Sequence, residues 1–455
     1  MVLNVAKRLM QAAVLPDRDG VLIEKPMNVW LVTIGEPVPV QEGVHDRPHR
    51  TGYFAGFLAR HGHDVTWWTS TFDHFRKKHW FDDNRTVTVR DRLRIRFLHG
   101  CGYRSNLSLA RLRDHRQISR QFARLSRSDE SRPDIIVAAL PTIGLCLEAV
   151  RYGHETGVPV VLDMRDMWPD IFVDTVPAPA RPLARLLLEP MFRAGRTACE
   201  GATAIVGITE AFVDWGLKRG RRTKTALDRG FPMGYTSTAP SQEKLQAAEQ
   251  FWQEQGVLAD AACPIACFVG TFGRQLDLET VLRAAHRLHT QGSPLRFVLC
   301  GTGDRLESLR RLAADLPTVI FPGWVDAAAI YVLMRRSSFG LDPLPNRYDF
   351  LATINNKAIE YMSAGLPVIS SPNRGVLARL VAEEQCGVAY DYGDADALAA
   401  ILGDLCTSRA ESARLAENAR RVFEDRFVAE KVYAGMMAYL ENLVAIGREA
   451  GPCGP

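Results

Sequence analysis

Residues 265–303 read IACFVGTFGRQLDLETVLRAAHRLHTQGSPLRFVLCGTG, and their pattern decides the fold class. Ile265 to Val269 is an unbroken apolar run of strand length, as in a parallel strand covered on both faces. Gly270-Thr271-Phe272-Gly273-Arg274 follows as a turn. Residues 278–290 carry helical periodicity, and 296–300 form a second apolar strand that ends in Gly301-Thr302-Gly303. This strand–helix–strand unit is the building block of a doubly wound parallel sheet.

The same alternation extends in both directions. Downstream, strands at 319–321, 339–341 and 367–370 alternate with helices at 305–315, 327–335 and 356–364. Upstream, after a helix at 242–255, an earlier set appears. It opens with 28–34 (NVWLVTI), a Gly/Pro loop at 35–39, a helix over 52–61 and a strand at 64–69 (DVTWWT). It continues with strands at 93–98, 134–138, 158–163 and 204–208. The chain therefore reads as α/β with two Rossmann-like domains, over 27–236 and 237–423. Residues 424–455 form a helical end, and 1–26 form an extension. In the extension, Val2, Leu3, Val5, Ala6, Leu9, Met10 and Ala13 are expected to form one apolar helical face, which reads as a loose arm or as a membrane-surface helix.

Composition narrows the class. The 455 residues are 47% hydrophobic and 24% charged, which fits a globular chain and excludes a disordered or collagen-like one. No run reaches the ~18 apolar residues of a spanning helix, and residues 1–26 are not expected to act as a secretory signal, because Lys7 and Arg8 interrupt the apolar run. The nine cysteines are scattered, with no zinc spacing, which suggests reduced thiols in a cytoplasmic protein. Between Met27 and Glu130, 18 Lys/Arg face 11 Asp/Glu, and eight of the eleven histidines lie there. A basic half suggests an anionic partner: lipid head groups, a phosphorylated acceptor or nucleic acid. No nucleic-acid motif accompanies it, so nucleic acid is not expected. Phe75–Phe81 mixes cations with aromatics, and Arg104–Arg127 is arginine-rich. Each reads as peripheral contact with an anionic membrane, at the inner face of the plasma membrane, or as a solvated charged face.

The chemistry concentrates in residues 355–368, NNKAIEYMSAGLPV. A helix there ends at Gly365, and Pro367 opens an apolar strand. Amides at that helix's start can hold phosphate, Lys357 adds a cation and Glu360, one turn on, can accept from two ribose hydroxyls. The same pair also reads as a surface ion pair. Gly270 and Gly273 let backbone approach a phosphate that Arg274 can clamp, and Gly301 and Gly303 do so after the next strand. Gly323-Trp324-Val325 offers a surface for a flat base.

In this order the motifs resemble the nucleotide-sugar half of the glycosyltransferase family 4 enzymes, of GT-B fold. The resemblance covers residues 27 onward and is strongest over 267–278 and 322–393. It implies two facing Rossmann-like domains with a C-terminal helix crossing back to the first. It also implies a nucleoside-diphosphate sugar on the second domain, an acceptor on the first, and retention at the anomeric carbon. Donor binding then falls to Gly270, Gly273, Arg274, Gly301, Gly303, Trp324, Val325, Asn356, Lys357 and Glu360, with a UDP-sugar favoured over a GDP-sugar. The first of the family's two glutamates falls at Ala352, with Asp349 out of register. Its usual Arg and Lys fall at Thr271 and Leu276, which leaves the diphosphate to Arg274 and Lys357. These departures resemble a branch that builds bacterial surface polysaccharide and O-antigen.

In the first domain, Asp163–Asp170 (DMRDMWPD) resembles that branch's Arg-Asp-x-Trp-Pro segment. Arg165 and Asp166 are its catalytic candidates, and Asp166 reads either as a base toward an acceptor hydroxyl or as a helix cap. Arg47, Arg50, Thr51 and Gly52, where the family has a Gly-Gly loop, are expected to bind the acceptor. The acceptor is expected to be a saccharide or a polyprenyl-diphosphate-linked saccharide. No cofactor and no metal site is expected: the Asp-x-Asp letters at Asp394 and Asp396 open a helix instead. An epimerase or hydrolase on the same scaffold, and a non-catalytic scaffold subunit, are the alternatives.

Overall fold

The computed structural model describes residues 25–39, 48–106, 108–258 and 263–449. Arg47 and nearly all of the 1–26 extension lie outside the described residues. The chain divides into two compact units, one of Met1–Phe231 with Tyr433–Pro455, the other Pro232–Val432. The sequence reading divided it at 236/237 and 423/424.

Among the described residues the first unit holds ten strands. They are β1 (Asn28–Val32), β2 (Asp64–Ser70), β3 (Phe72–Asp73), β4 (Lys78–His79), β5 (Arg85–Arg90), β6 (Leu93–Leu98), β7 (Ile135–Ala139), β8 (Val160–Met164), β9 (Ala204–Gly207) and β10 (Arg229–Gly230). Eight form one sheet in the order β10-β9-β8-β7-β1-β2-β6-β5, and β3 pairs with β4 in a separate ribbon. Every pairing in the sheet is parallel except β5 with β6. The central strands are buried on both faces, and the Trp30 ring meets Trp68 at 5.1 Å. The sequence reading lacked β5. Its residues RTVTVR alternate around a polar, exposed face, as suits an edge strand.

Among the described residues the second unit has six strands: β11 (Ile265–Val269), β12 (Arg296–Cys300), β13 (Val319–Gly323), β14 (Phe339–Pro343), β15 (Val368–Ser371) and β16 (Gly387–Ala389). Their order β13-β12-β11-β14-β15-β16 is parallel throughout. The chain winds one way from β11 and then the other, so β11 and β14 flank the switch point where such sheets bind ligands.

The helical end is broken. Helix Arg409–Arg426 stops before Phe427, and a new helix starts at Ala429. Tyr235 occupies the break: its N–H donates to the Phe427 carbonyl at 2.8 Å, and its own carbonyl accepts from Ala429 N–H at 3.1 Å. Helix Ala429–Glu449 then enters the first unit and buries Tyr433, Met436, Leu440 and Leu443 there. The Tyr433 ring stacks on Phe54 at 5.8 Å, and the Tyr439 hydroxyl donates to the Leu227 carbonyl at 2.7 Å.

Candidate functional site

In the second unit, the turns after β11, β12 and β13 are stitched to one another. Gly270 N–H donates to the Cys300 carbonyl at 3.0 Å, Gly301 N–H to Gly323 at 2.7 Å and Phe272 N–H to Thr302 at 2.9 Å. Glycine is required at the tightest contact. Gly301 has φ +141°, and a Cβ there would lie 1.8 Å from the Gly270 carbonyl oxygen. These turns bring Gly270, Gly301 and Gly303 together at the carboxyl edge of the sheet.

Helix Asn356–Ser363 points its start at the same edge. Asn355 caps it by accepting from Ala358 N–H at 3.1 Å. Lys357 runs back beside Gly270, where an added Cβ would lie 3.6 Å from the lysine Cδ. Its ammonium lies 3.9 Å from Asp342 Oδ1 and 5.9 Å from the Phe268 ring centre. Asp342, at the end of β14, has no solvent exposure. Its Oδ2 accepts from the Asn355 side chain, and Oδ1 has no hydrogen-bond partner among the described residues. Burial pushes its pKa up, against the pull of Lys357 and Asn355. A buried carboxylate so poorly compensated is a functional-site signal. The sequence reading missed Asp342, although a charged residue closing an apolar strand (FGLDP) marked it.

The other donor candidates take different positions. Glu360 is half-buried one turn beyond Lys357. Arg274 is 89% exposed and 3.7 Å from Asp304. Trp324 is 73% exposed, while Val325 is buried. Asn356 is exposed, and Gly273 sits over the Gln275 side chain. Ala352 is buried at the end of helix Tyr348–Leu351. Asp349 is engaged by Arg347 through two hydrogen bonds of 2.6 Å.

In the first unit, the fourth residue of β8 is the fully buried Asp163. Arg50 Nε donates to its Oδ2 at 2.9 Å, and Arg165 Nε does so at 2.8 Å. Burial alone would raise this carboxyl's pKa, but the two guanidiniums overcome it and hold the pKa below the ordinary value. Arg165 also reaches Glu36 and the Thr51 hydroxyl, the latter at 2.7 Å. Glu36 accepts from Thr51 N–H at 3.0 Å and from the Thr51 hydroxyl at 2.6 Å. Helix Arg50–Arg60 therefore meets the protein's own carboxylate, Glu36, at its N-terminus, in the loop expected to bind the acceptor. Arg50 and Thr51 are buried in this network, and Gly52 packs beside Pro48. Asp166 is half-buried and accepts from Met167 N–H at 2.7 Å.

Beside that network lies a cation–aromatic cluster the sequence reading did not assemble. The Arg111 guanidinium lies 4.5 Å from the Trp168 ring and 5.5 Å from the Tyr103 ring. His115 stacks on Trp168, and His74 Nδ1 is 2.6 Å from the Tyr103 hydroxyl. Lys77 lies 4.8 Å from the Tyr103 ring. Burial, with Lys77 and Arg111 adding to it, brings the His74 pKa down to about 4. The histidine-rich composition of residues 27–130 was the available signal.

Among the described residues, no group of three or more His, Cys, Asp or Glu is placed to hold a metal ion. Asp394 caps its helix by accepting from Ala397 N–H at 2.9 Å, and Asp396 pairs with Arg287. No described helix is long and apolar enough to cross a membrane.

Comparison with known proteins places this architecture. Residues 263–408 match the profile of the family Glycosyl transferases group 1. No curated protein matches the chain. Among solved structures, sucrose-phosphate synthase from Thermosynechococcus elongatus is 18% identical with a TM-score of 0.67, covering 92% of this chain and 99% of that one. HepE of Anabaena in complex with UDP is 14% identical with a TM-score of 0.65, covering 91% and 100%. WaaG, a glycosyltransferase involved in lipopolysaccharide biosynthesis, is 15% identical with a TM-score of 0.61, covering 90% and 98%. The chain thus has the α/β GT-B fold of two Rossmann-like units, and its second unit carries a segment matching Glycosyl transferases group 1.

Proposed function

We propose that this protein is a glycosyltransferase that moves a sugar, with retention, from a UDP-sugar to a saccharide or polyprenyl-diphosphate-linked acceptor in bacterial cell-surface polysaccharide synthesis. The observation that carries the reading is the gathering of the glycine turns after β11 and β12 with Lys357 and the start of helix Asn356–Ser363. That gathering lies inside the segment matched by the family profile. The UDP bound to HepE, a protein of the same fold, supports the choice of nucleotide.

In this reading the bond from the anomeric carbon to the diphosphate oxygen breaks, and a bond from an acceptor oxygen to that carbon forms. The acceptor hydroxyl gives up its proton. The departing diphosphate is stabilised by Lys357, by Arg274 and by helix amides, so the transfer is proposed to need neither metal nor cofactor. Trp324 and Val325 flank the base, and Glu360 accepts from the ribose. Asp166 orients the acceptor hydroxyl or takes its proton, while Arg165, Arg50 and Thr51 hold the first-unit wall in place through Asp163 and Glu36. The basic first unit makes peripheral contact with an anionic membrane.

Thermal-shift titration with UDP, GDP, ADP and dTDP, with and without magnesium, tests the donor half. The expected result is a shift with UDP that does not depend on magnesium and is lost in Glu360→Ala. Asp166→Asn is expected to lower transfer while leaving that shift intact. No shift with any nucleotide would favour the scaffold alternative, to which Ala352 and the engaged Asp349 lend weight. Release of free sugar without an acceptor would favour the hydrolase.

A further inference from the structure

We propose that helix Arg181–Leu187 is a membrane-docking element that seats the first unit on an anionic lipid leaflet. None of its residues is buried. Leu183, Leu186 and Leu187 are 60%, 70% and 71% exposed. Positions i, i+3 and i+4 make one helical face, so the three leucines form a single apolar stripe. Arg181 and Arg185 are four residues apart and lie on the opposite face. From Pro177 to Leu188 these two are the sole charged residues. A short helix with leucines on one side and only cations on the other is built to lie in a lipid interface. The leucines enter the acyl boundary while the arginines reach up to phosphate.

The helix is held by its surroundings. Arg185 lies 5.2 Å from the ring of the buried Phe192, and Pro182 stiffens the first turn. The helix also packs on helix Asp170–Asp174, whose Phe172 meets Trp168 at 4.5 Å. Trp168 carries Arg111, whose helix exposes Leu109 at 84%.

Charge and area together select a leaflet over a second copy of the chain. Three leucines offer on the order of 300 Å² of apolar surface, below the roughly 800 Å² per partner that a standard stable protein interface buries. Lipid makes no such demand, and added phosphate contacts complement the arginines. The inference deepens the membrane contact proposed above and is independent of the donor chemistry.

The test is sedimentation of the full chain with phosphatidylcholine vesicles holding about 30% phosphatidylglycerol. The wild type is expected to pellet with these and not with pure phosphatidylcholine. The triple variant Leu183→Glu, Leu186→Glu, Leu187→Glu is expected to lose at least about tenfold in partition, and Arg181→Ala with Arg185→Ala a smaller amount. All the altered side chains are exposed, and an unchanged thermal-unfolding midpoint verifies the fold. If the triple variant pellets like the wild type, this surface is not the dock, although the membrane contact itself survives. A wild type that stays in solution removes both. A wild-type dimer that the triple variant turns into a monomer overturns the proposal in favour of self-association.

Discussion

Asp163 and Asp342 are the fourth residues of β8 and β14, and both are shut off from solvent. Their surroundings drive them in opposite directions. Two guanidiniums compensate Asp163 and keep its pKa low, so the stability it adds is present above the ordinary carboxyl pKa and is lost as pH falls through its lowered value. Asp163→Asn leaves two buried arginines short of charge, and denaturant titration at pH 7 should show a loss of about 3–5 kcal/mol. Asp342 has a raised pKa, with one ammonium at 3.9 Å and one amide. Its stability contribution is greatest below the ordinary carboxyl pKa and is lost as pH rises through its raised value. Asp342→Asn keeps the acceptor for Asn355, so the melting temperature at pH 8 should rise. Lys357 then loses the carboxylate that competes for its charge, and the same variant should bind UDP more tightly. A melting temperature that falls at pH 8 would mean that the ion pair outweighs the burial cost.

Helix Asn356–Ser363 shows how far an element can be read from sequence. Its start, its end and its following strand were legible because each has a local cause: the Asn355 cap, Gly365 at φ +72° and the Pro367 break. Asn355→Ala should cost about 1 kcal/mol for the lost cap, and it also removes the donor to Asp342, so UDP affinity should fall with it. The strands of both sheets were legible for a similar reason, since buried parallel strands are continuous apolar runs. What escaped was non-local. That Glu36 fills the start of helix Arg50–Arg60, and that Asp342 lies under Lys357, depends on pairings across the sheet that no local pattern encodes. The break at Phe427 was hidden because helical periodicity runs through it, and only Tyr235, far away in sequence, supplies the hydrogen bonds that open it.

At the scale of the molecule, the first unit should be acid-sensitive. His74 and His115 have pKa values of about 4 and about 3, through burial first and then Arg111 and, for His74, Lys77. An unfolded chain takes up protons at these positions below about 6.5, whereas the folded one stays neutral. Stability should therefore fall as pH drops from about 6.5 toward 4. Urea midpoints at pH 7.5 and pH 5 should differ, and His115→Gln should reduce the difference. The first unit also depends on residues 433–449, whose Tyr433, Met436 and Leu440 are buried in it. A chain ending at Val432 should keep a folded second unit and lose the unfolding transition of the first, as calorimetry would show.

That dependence sets an order on synthesis. The first unit leaves the ribosome first but lacks a wall of its core until the whole of Pro232–Val432 has been made. At about 5–20 residues per second the wait is roughly 10–40 s. During it, Phe54 and Phe57 have no Tyr433 to cover them, and a holdase chaperone has an open apolar groove to occupy. A nascent chain whose last residue outside the ribosome is Val432 would present the second-made unit finished and the first-made unit still open.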